Sequence, residues 1–369
     1  MKAKKKGLSF IDKIFLWITL FLCICLLTSY LAPIIDPEKF WPIAFFGLAY
    51  PFLLLCSTSM FVYWLLRKKI WALLPLVTIA IGWGILNKNI GLRFPSAHGL
   101  KNAGAIRIMT YNVHNFKRYG AKNDISTKHE ILDIVANQQP DIIGFQEFYT
   151  RNHGQYNMLD SIQKILRSKN YFFETVVSNK DEAIGLALFS KLPIIAHGYI
   201  QLAERSSENQ CIYIDVKKGD KTFRIYSVHL QSIRFDPDDY RYLNNISQQG
   251  KPQVGSAKRL GSKLKIAFEK RSEQVFKIKR HADSCAYPYI ISGDFNDTPT
   301  SYAVNQMCKG LKNAFLEKGS GMGRTYNGSF PNYQIDYIMA CKQFDILNYD
   351  IIEKRLSDHY PICSDLVLK

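Results

Sequence analysis

The chain has 369 residues, of which 47% are hydrophobic and 21% charged. This balance excludes an intrinsically disordered chain and leaves material for one large or two smaller folded units. Its 48 Lys and Arg against 31 Asp and Glu give a formal net charge of +17, which points to a polyanionic partner, nucleic acid or an anionic membrane surface.

The first hundred residues hold 11 basic and 3 acidic side chains. They also contain three long runs without a charged side chain: Ile14 to Ile35, Phe40 to Leu66 and Ile70 to Asn87. Each reaches or approaches the roughly 20 residues that cross a bilayer as a helix. The expectation is a membrane anchor over residues 1–90 with three transmembrane helices, Pro51 and Pro75 being tolerated inside the second and third. Buried core helices, or a cleaved signal peptide for the first run alone, are the alternatives that three runs in series disfavour. Lys2, Lys4, Lys5 and Lys6 precede the first run, and Arg67, Lys68 and Lys69 join the second to the third. By the positive-inside rule these flanks are cytoplasmic and the chain after about Lys88 is extracytoplasmic, anchored in what would be a bacterial inner membrane.

Residues 91–104, with Pro95, Ser96 and three glycines, read as a linker. From residue 105 the pattern changes to short β-type runs separated by helical stretches, as in an α/β domain over 105–369. Strands are expected at Ile106 to Tyr111, Asp141 to Phe145, Gly185 to Phe189, Cys211 to Val216, Phe223 to His229, Tyr289 to Ser292, Ile335 to Ala340 and Ile362 to Leu368. Helices are expected from Lys128 to Asn137, capped by Thr127 with Glu130, from Met158 to Arg167, and from Ser256 to about His281. Ile233 to Gly255 reads as an irregular segment. Within the long helix, Ala257 to Arg280 carries nine basic residues against two acidic ones. It is either a core-packing helix with a solvated charged face or a surface for anionic headgroups or a nucleic-acid backbone, Lys258 and Arg259 being the candidate substrate-binding residues.

Five segments place polar or acidic residues at strand ends. They are Met109 to Asn115 with Asn112, Pro140 to Glu147, Tyr226 to Leu230 with His229, Ile290 to Pro299 with Asp294 and Asn296, and Leu356 to Pro361 with Asp358 and His359. Singly, each such residue is more often a turn former. Together, Asp, Glu and Asn oxygens with few histidines and no paired cysteines suit a hard cation, Mg²⁺ or Mn²⁺. A hard cation polarises a phosphoryl oxygen, an acid orients the attacking water and a histidine stabilises developing charge, so the set argues for hydrolysis of a phosphate ester.

The segments YNVHNF at 111, PDIIGFQE at 140, VHL at 228, GDFNDTP at 293, QIDYIM at 334 and SDHYPI at 357 resemble, in order, those of the endonuclease/exonuclease/phosphatase superfamily of DNase I-like proteins. The resemblance covers Ile106 to Leu368 and implies a four-layered α/β/β/α sandwich. It implies that Glu147 binds the metal, that Asn112 holds a metal-bound water or the phosphate, and that Asp294 activates the nucleophilic water with Asn296 steadying it. His359 would contact the scissile phosphate and His229 would stabilise the transition state. Asp358 would fix the His359 ring or serve as a further metal ligand, and Asp336 would support the site. Gln334 stands where many relatives carry Arg, and the tyrosine that some abasic-site nucleases place over the phosphate has no counterpart evident in the sequence. The expected activity is that of a membrane-anchored, Mg²⁺-dependent phosphodiesterase or phosphatase acting on lipid headgroups or other small phosphoesters, its partners being the bilayer and that substrate. A nuclease of the same scaffold and a non-catalytic binding protein are the alternatives.

Overall fold

The computed structural model describes residues 8–93, 101, 104–117, 125–203, 207, 209–233, 235–249, 253–328 and 332–369. The four N-terminal lysines and Pro95 and Ser96 of the expected linker lie outside them.

The N-terminal region folds into α1 (Phe10–Ser29), α2 (Pro37–Phe40), α3 (Pro42–Leu48), α4 (Tyr50–Leu66), α5 (Leu73–Ile81) and α6 (Trp83–Asn89). Among the described residues, α1 alone is a single helix long and apolar enough to cross a membrane. The other two expected spans are corrected to bent pairs: α3 with α4 turns by 61°, and Ile70–Ile81 with α6 by 67°. Counting each pair as one span gives up to three. Pro51 explains the first break. It has no N–H to donate and its ring conflicts with the carbonyl four residues back, so a new helix starts at Tyr50 with the proline in its first turn. The second break falls at Gly82, the residue type that least favours continuing a helix after proline.

At one end of this bundle the Tyr63 hydroxyl and the Arg67 guanidinium donate to the Asp12 carboxylate, at 2.9 and 3.0 Å. The outer faces stay apolar: Trp17 and Phe21 on α1 and Leu55 and Leu66 on α4 are all exposed.

The remaining strands are, in chain order, β1 (Ile106–Asn112), β2 (Ile142–Arg151), β3 (Asn170–Ser178), β4 (Glu182–Ser190), β5 (Ile194–Ile200), β6 (Gln210–Lys218), β7 (Lys221–His229), β8 (Tyr289–Asp294), β9 (Leu311–Asn313), β10 (Asp336–Cys341), β11 (Phe344–Ile346), β12 (Asp350–Ile351) and β13 (Ile362–Leu368). They form two sheets, one ordered β11-β13-β1-β2-β4-β3 with β12 also on β13, the other β5-β6-β7-β8-β10-β9. The helices are α7 (Ile125–Gln138), α8 (Met158–Leu166), α9 (Pro237–Gln249), α10 (Val254–Asp283), α11 (Tyr302–Cys308) and α12 (Ala314–Lys318). Ile108, Leu188, Ile212, Ile225 and Ile338 pack between the sheets. Ile131 and Val135 of α7 with Ile162 of α8 cover the first sheet through Phe145 and Phe189. Val275 and Ile278 of α10 with Met307 of α11 cover the second through Tyr226 and Ile291. The expected α/β/β/α layering follows from strands that are apolar on both faces.

Three sequence expectations are corrected. Strands β3 and β5 were not anticipated because both lie at sheet edges and mix exposed with half-buried positions, which erases the alternating signal. The segment expected to be irregular holds α9, whose entry is closed by the Asp236 N–H donating to the Asp239 carboxylate at 2.9 Å. Helix α7 is described from Ile125, so Thr127, expected just before the helix, lies within its first turn.

The N-terminal helices and the sandwich touch extensively. The Ser272 hydroxyl donates to Asp36 (2.8 Å), the Tyr333 hydroxyl to the Leu48 carbonyl (2.9 Å) and the Asn89 amide to the Thr300 hydroxyl (3.0 Å). Gly91 of the expected linker pairs with Gly321 as an isolated bridge. A side chain on Gly47 would come within 2.6 Å of the Ala32 Cβ and 3.2 Å of the Thr300 carbonyl, so this approach depends on the bare backbone.

Candidate active site

Parallel pairing brings the functional side chains to one edge. β1 and β2 run parallel with Asn112 opposite Gln146, and β7 and β8 run parallel with His229 opposite Asp294. Parallel neighbours run the same way, so the ends of β1, β7 and β8 deliver Asn112, His229 and Asp294 beside Glu147, which sits within β2 where its pairing with β1 stops. Antiparallel β10 adds Asp336 directly opposite Asp294.

Local irregularities complete the aim. The register of β2 shifts between Phe145 and Phe148, and Glu147 inside this bulge has φ 52°. A bulge re-aims a side chain that strict alternation would send elsewhere. Gly293 has φ 142°, and a Cβ there would lie 2.1 Å from the Val228 carbonyl, so only glycine lets β8 approach β7 just before Asp294.

Asp294 is buried at the centre. It accepts from the Asn112 amide (3.1 Å), from the Asn296 backbone N–H (2.8 Å) and from the Asn296 amide (3.2 Å). The Nε2 atoms of His229 and His359 each lie 3.6 Å from its Oδ2. Burial pushes its carboxyl up, against the pull of His359, and Asp336 adds to the rise. His359 Nδ1 lies 2.9 Å from Asp336 Oδ2. Burial disfavours a charged ring here, but the Asp336 and Asp294 carboxylates outweigh it and hold the imidazole well above the usual histidine range. The ring of His359 is thus fixed by Asp336, not by Asp358.

On the other flank, the Asn112 amide also donates to Glu147 (3.1 Å). Glu147 and Asp358 both face His114 Nδ1, at 3.4 and 3.7 Å. Burial works against the charge on Glu147, yet the His114 hydrogen bond, the nearby His229 and the Asn112 amide bring its carboxyl down to about 2. The hydrogen bond to Glu147 in turn raises the His114 imidazole.

All eight expected residues other than the lysine–arginine pair of the long helix therefore converge. Asn112, Glu147, His229, Asp294, Asn296, Asp358 and His359 line one cavity of about 530 Å³, with Asp336 behind His359. Lys258 and Arg259 do not line it. Lys258 is exposed, and Arg259 is engaged by Asp239 at 2.9 Å. Three contributors escaped the sequence reading. His114 was within reach, two residues after Asn112 in a quoted segment. Tyr326, edge-on to the His359 ring at 5.4 Å, and Arg271, buried and paired with Asp297 at 3.1 Å, gave no local signal.

A cation site fits this chemistry. Two carboxylates, Glu147 and Asp358, flank His114 Nδ1 at 3.4 and 3.7 Å, and carboxylate oxygens suit hard divalent ions, whereas Asn112 turns its amide nitrogen to Glu147 while its Oδ1 accepts from the His114 N–H. Asp294, Asp336 and His359 also present ligand atoms within 4.8 Å of one another. In that group Asp336 and the His359 ring are already committed to each other, so the Glu147 flank is the more open of the two.

A model of the endonuclease/exonuclease/phosphatase family matches residues 109–359. The chain belongs to the endonuclease/exonuclease/phosphatase family. The N-terminal region, residues 12–89, matches a model described only as a domain of unknown function. Solved structures share the fold of this family member at low identity. An endonuclease/exonuclease/phosphatase from Beutenbergia cavernae aligns at 16% identity and TM-score 0.51, covering 72% of each chain. A family protein from Bacteroides thetaiotaomicron aligns at 17% and 0.50, covering 73% of this chain and all of its own. The human Nocturnin catalytic domain with bound sulfate aligns at 18% and 0.51, covering 73% of this chain and 96% of its own. No curated protein matches the sequence significantly. Membership of this family indicates a hydrolase acting on phosphoesters.

Proposed function

We propose that this protein is a membrane-anchored, divalent-metal-dependent phosphoesterase that hydrolyses a phosphodiester or phosphomonoester by in-line attack of water. The observation that carries the reading is Asp294, a buried carboxylate held by three amide donor contacts between two histidines. Asp294 accepts the proton of the attacking water, Asn296 keeps that carboxylate in place, and His359 and His229 donate to the oxygens on which negative charge develops. Asp336 holds the donor tautomer of His359 and stabilises its charged form. A Mg²⁺ or Mn²⁺ ion held by Glu147, with Asn112 and Asp358 beside it, would polarise the phosphoryl oxygen when bound.

Membrane anchoring is supported by α1 and by the apolar outer faces of the helices around it. The sandwich contacts the bundle through Asp36, Leu48 and Asn89, whereas Arg67 meets Asp12 at the start of α1 and Lys68 and Lys69 follow it. With the basic turn cytoplasmic, the catalytic domain is extracytoplasmic. A nuclease reading is weakened because Arg259, Lys263, Lys265, Lys277 and Lys279 of α10 are each paired with an acidic side chain.

The test is the full-length chain in detergent with Mg²⁺ against a bis-aryl phosphodiester, an aryl phosphomonoester and an oligonucleotide. Hydrolysis of at least one aryl ester, lost in Asp294→Ala, is expected. No hydrolysis of any overturns the reading, and cleavage of the oligonucleotide alone replaces it with the nuclease reading. A reporter fused after Lys88 that proved cytoplasmic would reverse the topology.

A further inference from the structure

The catalytic cavity is not built by the sandwich alone. Its far wall is Phe45, Leu48 and Phe52 of α3 and α4, facing Leu260, Leu264 and Phe268 of α10, with the Phe45 and Phe268 rings edge-on at 5.4 Å. One end of the cavity therefore carries the acids and histidines, and the other is hydrocarbon. A site that handled only a water-soluble phosphoester would gain nothing from exposing this much apolar surface to water. The volume, about 530 Å³, lies within the roughly 300–1,000 Å³ typical of small-molecule sites and exceeds what a phosphate group fills.

The apolar end also leads toward the membrane face. Phe52 lines the cavity yet is 47% exposed, and Leu55, one turn further along α4, is 65% exposed. The wall of the active site and the lipid-facing side of the anchor are thus the same helix. Break α3–α4 at Ala49, forced by Pro51, is what turns Leu48 inward while α4 continues into the apolar bundle.

We infer that the substrate is a membrane lipid carrying a phosphoester, entering from the bilayer alongside α4. One hydrocarbon chain lies between α3–α4 and α10, and the phosphorus is presented to Asp294 and His359. This rests on the phosphoesterase reading and adds the part of the substrate that the reading leaves open. It also assigns specificity to residues of the anchor, which would otherwise serve only as a tether.

The experiment uses the full chain in mixed micelles with Mg²⁺. It compares a long-chain phospholipid, the corresponding water-soluble headgroup phosphodiester without chains, and the bis-aryl phosphodiester, in the wild type and in Leu48→Trp and Leu264→Trp. The wild type is expected to favour the long-chain lipid by at least about tenfold in kcat/KM over the chain-free analogue, the order expected when a hydrophobic slot is filled. Each tryptophan fills the slot from an opposite wall and is expected to reduce that ratio about tenfold. Two substitutions on separate elements guard against one that fails to fold, and cooperative thermal unfolding checks both. Equal kcat/KM for lipid and chain-free analogue, with the bis-aryl ester still cleaved, overturns this inference while leaving the phosphoesterase reading intact. An unchanged ratio in two folded variants does the same. Absence of hydrolysis of all three substrates by the wild type overturns the phosphoesterase reading itself.

Discussion

Asp336 Oδ2 lies 2.9 Å from His359 Nδ1, and both side chains are buried. This pair sets the charge and the orientation of the ring whose Nε2 faces Asp294. Asp336→Asn keeps the shape but removes the negative charge, so the His359 pKa falls from its raised position. A raised histidine is protonated, and contributes its full stabilisation, below its unfolded pKa of about 6.5, losing it as pH rises through the higher folded value. In Asp336→Asn that loss comes at lower pH. The alkaline limb of the pH–rate profile is expected to move down, with kcat reduced about 10²- to 10⁴-fold. A limb that stays put shows that His359 does not act as the charged donor.

Glu147 on β2, Asp294 on β8 and His359 in the segment before β13 meet in one cavity. Alanine at each is expected to cost about 10²-fold or more in kcat, read on the bis-aryl ester with folding checked by thermal unfolding. Retained activity in all three would sink the mechanism.

The carboxyl of Glu147 stays ionised down to about pH 2, so protonation of this residue does not compete with a cation anywhere near neutrality. Chelation should abolish activity, and Mg²⁺ or Mn²⁺ should restore it. Glu147→Gln is expected to raise the Mg²⁺ concentration needed for half-maximal activity about 10- to 100-fold. Full activity in excess chelator would exclude the cation.

Arg271 is buried, donates from Nε to the Gln231 carbonyl at 2.7 Å and pairs with buried Asp297 at 3.1 Å. Arg271→Ala leaves a carboxyl in the interior without its partner, and the expected loss is about 3–5 kcal/mol. Thermal unfolding measures it, and a change within error would show that water reaches Asp297.

Gly293→Ala is expected to prevent folding or reduce stability by several kcal/mol, at least about 3, because the added methyl would sit 2.1 Å from the Val228 carbonyl at a φ of 142°. Expression and thermal unfolding report it. Wild-type stability would mean that β7 and β8 can separate without loss.

Much of this was legible in the sequence. The central strands are apolar on both faces, so β1, β2, β7 and β8 could be read from composition, and the polar residues that follow their apolar stretches marked the site. Edge strands β3 and β5 lacked that signal. Asp336 read only as a supporting residue, because the antiparallel register that sets it opposite Asp294 is a tertiary fact. The +17 that suggested a polyanion also changed meaning. The charge on α10 is drawn off largely by Asp236 and Asp239 at the start of α9 and by acids one turn away along the helix.

The sequence by itself determined the apolar runs, the order of the strand-end motifs and hence the chemistry, since these depend on residue type and local periodicity. Only the tertiary structure decided that the second and third runs bend, that Asp336 rather than Asp358 holds His359, and that Phe45, Leu48 and Phe52 wall the cavity these side chains line. Each of those joins residues far apart in the chain, and no local propensity encodes which distant surfaces will exclude water from one another.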